Sequence, residues 1–213
     1  IKMSTDTLTA IKSSRTFTLF DETLKRILDC VASGLGLIVF SPLFLIIWIA
    51  IRLESSGPAI FSQERIGYLG RPFTIYKFRS MRIDSEQDGH PALCSKDDSR
   101  LTKVGKFLRD HHLDELPQLW NVFRGDMSFV GPRPERKYFI DKIMQLNDSY
   151  ERLYQLRPGL FSWATLYNGY TDTMDKMLTR LHMDIDYLEN GTLVMDTKII
   201  WLTVMSIISG KKF

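Results

Sequence analysis

Between Cys30 and Ile51 the chain carries no charged residue; Lys25, Arg26 and Asp29 stand before this run and Arg52 closes it. As one straight helix the run would reach roughly 33 Å, enough to cross a bilayer core of about 30 Å. Ser41-Pro42 falls near its middle, and a proline there removes a backbone hydrogen bond and clashes with the preceding turn, so a kink is expected. Cations on both flanks also disagree with a simple span, which collects positive charge on its inner side. Two arrangements fit. One is a spanning helix that tolerates its proline. The other enters, breaks at Ser41-Pro42 and returns to the same face, the serine hydroxyl serving the freed carbonyls. The length of the run disfavours a buried core helix.

The rest of the chain reads as α+β and mostly helical. Residues 1–19 are polar and aperiodic, the pattern of a mobile leader; no small-residue cleavage site closes the apolar run, so a secretory signal is not expected. Two short strands are expected at Ala59–Ser62 and Phe73–Phe78, joined by a turn containing Gly67 and Gly70, with Lys77 and Arg79 on one face. Residues 84–99 are polar and irregular, a loop. Helical spacing covers Lys106–Asp110 and Leu113–Phe123, with Pro117 acceptable in a first turn. Further helices are expected at Glu135–Tyr154, with a break near Asn147-Asp148, at Met174–Leu188, and at Asp196–Ile208. Arg157-Pro158-Gly159 reads as a turn. The last helix is apolar but too short to span, and suits a membrane surface or a core.

The chemistry concentrates in LDELPQLWNVFRGDMSFVGPRP, Leu113 to Pro134. Asp114 and Glu115 are adjacent, Arg109 lies a turn before them, and Arg133 is held between two prolines. On a helix, neighbouring side chains diverge by about 100°, so this pair cannot flank one glycosidic bond. It can divide roles at a phosphate, one acid attacking and the other holding a divalent cation, with arginines clamping the anion. A solvated helix start with acids at its positive end is the plainer account of such a pair. Arg109, Arg133, Lys77 and Arg79 are the candidate clamps. Arg133 is the best of them because flanking prolines lower the cost of ordering it.

Other chemistries lack their signatures. His111 and Glu115 stand four apart, but no HExxH pattern or third ligand accompanies them, and both His111 and His112 read as exposed. Walker A, GxGxxG and GxSxG patterns are absent. A net charge of +3 and a pI near 8.8 are too mild to argue nucleic-acid binding, though they suit phosphate-bearing substrates or an anionic membrane surface. Cys30 and Cys94 make no disulfide framework, in keeping with a reducing, cytoplasm-facing location.

In order along the chain, KRILD (Lys25–Asp29), the apolar run with Ser41-Pro42, GPAIFSQERIG, FTIYKFRSM, RLTKVGKFLR, LDELPQLWNV and GDMSFVGPRP resemble the bacterial sugar transferases, the monotopic polyprenol-phosphate phosphoglycosyl transferases. The resemblance covers about residues 20–209 and points to the small form, a catalytic domain alone. It implies a re-entrant helix-break-helix over residues 20–52 with its break at Ser41-Pro42, and a catalytic domain over residues 53–213 at the cytoplasmic face of the bacterial inner membrane, with interfacial helices and a small β-hairpin.

The resemblance also implies a two-step transfer. Asp114 attacks the β-phosphate of a UDP-sugar and expels UMP, and undecaprenyl phosphate then takes the phosphosugar, initiating capsule, exopolysaccharide or O-antigen synthesis. Glu115, with Asp114 beside it, would hold Mg2+. Arg109 and Arg133 match the family's phosphate-side arginines, while Asp184 in MDIDYLEN and Asp196 in VMDTKII match two further active-site carboxylates. The partners implied are a UDP-sugar, undecaprenyl phosphate and inner-membrane lipid; a homodimer is left open, and nucleic acid is not expected. One stretch departs from the family: RPGLFSWATLYNGY stands where members commonly read RPGLTGWAQVNGR, which puts sugar specificity in doubt and not catalysis. The alternative in another class is a catalytically silent membrane scaffold, against which the intact Asp114, Glu115, Arg109 and Arg133 weigh.

Overall fold

The computed structural model describes residues 18–83, 98–169 and 171–209. The leader at residues 1–17 and nearly all of the expected loop at 84–99, with Cys94, lie outside the described residues.

Helix α1 (Leu19–Val39) starts at a reciprocal cap: Thr18 Oγ1 accepts from Asp21 N at 3.1 Å, and Asp21 Oδ2 accepts from Thr18 N at 2.9 Å. Helix α2 (Ser41–Glu54) follows after a 60° bend. The break falls at Phe40, one residue ahead of Ser41-Pro42. Pro42 occupies the first turn of α2, where a missing N–H costs nothing, and Ser41 Oγ donates to Ile38 O at 2.8 Å. No single described helix is long and apolar enough to cross a membrane, but the bent pair passes that test together.

The polarity of α1 is reversed from that of a surface helix. Its buried residues are Asp29 and Ser33, whereas Leu35, Ile38 and Val39 are exposed. Asp29 Oδ1 accepts the backbone N–H of Phe129 at 3.1 Å, and Ser33 Oγ donates to Asp29 O at 2.6 Å. The polar residues therefore stitch α1 to the domain and its apolar surface faces out, against the usual rule for a helix in water.

The hairpin pairs β1 (Ile60–Ile66) with β2 (Pro72–Phe78) antiparallel, Ile60 opposite Phe78 and Ile66 opposite Pro72. β1 is longer than its expected four residues because Gln63 to Ile66 continue the ladder to the turn. Helix α3 (Lys103–Asp110) is capped by Thr102, whose Oγ1 accepts from Gly105 N at 2.9 Å. Its Gly105 lies so close to the Ser80 backbone that a Cβ would stand 1.9 Å from Ser80 O.

The expected helix over Leu113–Phe123 is divided. Leu113–Glu115 form a 3₁₀ turn and α4 is Gln118–Arg124. Pro117 has no N–H to give Leu113 O, so an α-helix cannot pass through; Leu116 N bonds Leu113 O instead, at 3.3 Å. Two parallel strands, β3 (Ser128–Val130) and β4 (Gly159–Phe161), bring the segments before Pro132 and after Pro158 together. The expected turn at Arg157-Pro158-Gly159 thus leads directly into a strand.

The remaining helices are α5 (Lys137–Leu146), a 3₁₀ stretch Asp148–Gln155 after the expected break at Asn147, α6 (Trp163–Asn168), α7 (Met174–Asn190) and α8 (Leu193–Ile208). Phe139, Ile140, Ile143, Tyr150, Leu153, Met177 and Leu181 make the core between α5, the 3₁₀ stretch and α7. A second cluster, Ile75, Leu119, Val122, Met127 and Leu160, seats α4 on the hairpin and β4. On α8, Asp196, Ile199 and Thr203 are buried while Val194, Trp201, Met205 and Ile208 are exposed, so one face packs and the other stays open.

Candidate active site

The carboxylate pair sits in a corner whose shape follows from the local sequence. Helix α3 ends at His111, and His112 turns the chain through a left-handed conformation at φ 54°, uncommon for a residue other than glycine. His112 is half-buried rather than exposed, and burial lowers its pKa. The 3₁₀ turn then presents Asp114 and Glu115 toward β2 and the segment after β3.

Glu115 is locked in place. Its Oε1 accepts from Lys77 Nζ at 2.7 Å and from Arg133 Nη2 at 2.6 Å. Burial pushes the Glu115 pKa up, but Arg133 and Lys77 outweigh it and hold the carboxyl well below its ordinary range. The same pairing raises the pKa of Arg133, while burial lowers that of Lys77.

Asp114 is a different kind of carboxylate. It is only 6% exposed, yet no hydrogen bond from another described residue occupies it. Burial raises its pKa to about 6; Lys77 opposes this, the charge of Glu115 adds to it, and Arg109 and Arg133 pull it down. An uncommitted carboxylate facing fixed cations suits nucleophilic attack on a phosphate, because the cations oppose the charge that accumulates there.

No group of three or more His, Cys, Asp or Glu side chains able to hold a metal occurs among the described residues. The pair nevertheless fits magnesium, which takes one or two protein carboxylates and completes its shell with water and substrate phosphate. Glu115 Oε2 and the Asp114 carboxylate are the donors on offer.

A model of the bacterial sugar transferases matches residues 20–210. This chain belongs to the bacterial sugar transferase family. It is 41% identical over 188 residues to the UDP-N-acetylgalactosamine-undecaprenyl-phosphate N-acetylgalactosaminephosphotransferase of Aeromonas hydrophila, over 88% of this chain and 44% of the relative. It is 42% identical to the UDP-glucose:undecaprenyl-phosphate glucose-1-phosphate transferase of Escherichia coli K12, over 85% of this chain and 39% of the relative. With the relative of that same description from Caulobacter vibrioides the identity is 44%, over 87% of this chain and 70% of the relative. The chain therefore spans less than half the length of the first two relatives.

In this member of the family, the expected site residues divide into two groups. Glu115, Lys77 and Arg133 meet directly, Asp114 lies within reach of their charges, and Arg109 acts on both Asp114 and Asp98 by charge. Arg79 stands apart. Strand β2 ends at Phe78, and the Arg79 guanidinium donates to Ser55 O, Ser55 Oγ and Ser56 O at 2.7–2.9 Å, serving the chain just past α2. Its guanidinium is engaged there and not at the carboxylate pair.

Asp184 and Asp196 are both buried and already have partners. Asp184 accepts from Ser162 Oγ at 3.3 Å beside Arg180, and burial raises its pKa to about 7. Asp196 pairs with Lys25 of α1 and accepts from Tyr187 Oη at 2.5 Å. The divergent stretch forms β4 and α6, where Trp163 engages Tyr167 and Lys198; Tyr170 lies outside the described residues.

Sequence reasoning missed Glu135 and its two arginines, Arg65 and Arg180, which meet behind Arg133. Glu135 follows Pro132-Arg133-Pro134, but its partners are 70 and 45 residues away, and no local spacing announces them.

Proposed function

We propose that this protein transfers a phosphosugar from a UDP-sugar to undecaprenyl phosphate, starting a surface glycan at the cytoplasmic face of the inner membrane. The observation that carries the reading is the contrast within the pair: Glu115 is tied to Lys77 and Arg133, while Asp114 is buried and uncommitted. Family membership and the printed activities of the relatives support it.

In the first half-reaction an Asp114 carboxylate oxygen attacks the β-phosphorus of the UDP-sugar. The bond from that phosphorus to the bridging oxygen breaks, and UMP leaves with the electron pair. Arg133, Lys77 and Arg109 face the transferring group and stabilise its negative charge. In the second half-reaction a phosphate oxygen of undecaprenyl phosphate attacks the same phosphorus and releases Asp114 as carboxylate. Glu115 and Asp114 would hold Mg2+, which when bound offsets the diphosphate charge. The covalent stage lets a soluble and a lipid substrate use one site in turn.

The bent α1–α2 pair is read as a re-entrant hairpin. Its 60° break, the Ser41 hydroxyl on Ile38 O, and outward apolar residues on both arms support that reading. The deciding assay screens UDP-sugars for UMP release with undecaprenyl phosphate and Mg2+ present. Wild-type protein should release UMP and carry a phosphosugar on Asp114, detectable by intact mass. Asp114→Asn should do neither; a normal adduct on that variant would place the nucleophile elsewhere.

A further inference from the structure

Arg133 reaches Glu115 from a segment that is itself tied on several sides, in part by buried charge. The carbonyls of both flanking prolines are bonded. Pro132 O accepts from Gly159 N at 2.8 Å and Pro134 O from Arg65 Nη1 at 3.2 Å. Next in sequence is Glu135, 6% exposed. Its Oε1 accepts from Arg65 Nη1 at 2.8 Å and from Arg136 N at 2.9 Å, and its Oε2 accepts from Arg180 Nη2 at 2.8 Å. The backbone of Glu135 is tied as well, its carbonyl accepting from Ile66 N at 3.1 Å.

One carboxylate thus joins β1, the segment bearing Arg133, and α7. Buried ion pairs of this kind add little stability over apolar residues of the same volume, because desolvation offsets most of the attraction. What they supply is direction, since a carboxylate accepts from two guanidinium groups in only a narrow range of orientations. Here the segment so oriented carries the arginine that grips Glu115.

We propose that Glu135 is a positioning residue for Arg133, clamped by Arg65 and Arg180 so that the Arg133 guanidinium is held ready for a diphosphate. This rests on Arg133 acting as a phosphate ligand in the function proposed above. The clamp sets the geometry of binding and touches neither substrate nor the reacting atoms.

The experiment measures binding of inorganic pyrophosphate, with Mg2+, to the full chain in detergent or nanodiscs by calorimetry. The panel is wild type, Arg133→Ala, Glu135→Gln and the double variant, with melting temperatures taken in parallel. An arginine displaced by about 1 Å loses on the order of ten-fold or more in its contribution, so Glu135→Gln should weaken pyrophosphate about ten-fold. Arg133→Ala should weaken it at least as much, and the double variant no further than Arg133→Ala alone. Should Glu135→Gln destabilise the fold, the apolar pair Glu135→Leu with Arg180→Met keeps the volume filled; it should melt near wild type and still lose affinity. Losses that multiply in the double variant, wild-type affinity in Glu135→Gln or in the apolar pair, or no pyrophosphate binding by wild type would each overturn the proposal. UMP release from the wild type is measured separately. Coupled binding losses without any UMP release would refute the reaction and leave the clamp standing.

Discussion

Asp184→Asn should remove a pH dependence of stability whose size can be worked out in advance. Asp184 is 3% exposed on α7, and its folded pKa is raised to about 7 against 3.8 for an unhindered aspartate. Burial is the main cause, opposed by Arg180 and by the Ser162 hydroxyl. The folded protein thus keeps a proton that the unfolded chain releases near pH 4. The uncharged acid favours folding fully below about pH 4, and that advantage is lost progressively as pH rises from about 4 to about 7. At 1.36 kcal/mol for each pH unit, the loss across this window is about 4 kcal/mol. Asparagine has nearly the same shape, still accepts from Ser162 and never ionises. Unfolding of both proteins should therefore be followed from pH 4.5 to 8.5 in one detergent. Between pH 4.5 and about 7, Asp184→Asn should gain steadily on wild type, by roughly 7–14 °C in melting temperature, and by nothing further above it. A difference that stays flat across the range would show that Asp184 titrates at its ordinary value and that burial does not govern it. Other titrating groups cancel because they are common to both proteins.

Lys77→Met removes one of the two cations on Glu115 and one of those facing Asp114, and should cost about 100-fold or more in UMP release while the protein still folds. Gly105→Ala places a methyl group 1.9 Å from Ser80 O. Helix α3 must shift to admit it, with a loss of about 1–3 kcal/mol in a thermal melt. Single cysteines at Thr23 and Glu54 should both be labelled by an impermeant reagent from the cytoplasmic side only, since a re-entrant hairpin keeps both ends together. The double variant Ser41→Leu, Pro42→Leu should straighten the break and move the Thr23 label to the opposite side.

The helices that could be read in the sequence are those with a repeating apolar face: α5, α7 and α8 appear within a few residues of their expected limits. The carboxylate pair was legible because its residues are neighbours and its cations lie in short, distinctive strings. What escaped is non-local. β3 and β4 have three residues each, too few for a period of two to show, and they pair across about 30 residues. The helix expected over Leu113–Phe123 is interrupted at Asp114 by a 3₁₀ turn, because Pro117 has no N–H to carry the α pattern through. Strand alternation puts Arg79 with Lys77, but it does not reveal that the carbonyls beyond α2 claim the Arg79 guanidinium. Asp184 and Asp196 enter the expected active site through the resemblance alone; their partners, Ser162 for the one and Lys25 with Tyr187 for the other, follow no local spacing. The Arg65–Glu135–Arg180 clamp draws on three distant segments and has no sequence pattern at all.

Arg26 of α1 donates to Val122 O at 2.6 Å and to Phe123 O at 2.7 Å, closing the C-terminal end of α4. Helix α4 begins three residues after Glu115, so the bent α1–α2 pair and the turn bearing Asp114 are two ends of one strut. On the hairpin reading, the depth to which α1 settles in the lipid fixes the height of Asp114 above it. In the proposed transfer, that height would decide how far a polyprenyl phosphate must rise for its headgroup to meet the enzyme-bound phosphorus. Bilayer thickness and headgroup packing would then act on the second half-reaction and leave the first, with its soluble donor, unchanged.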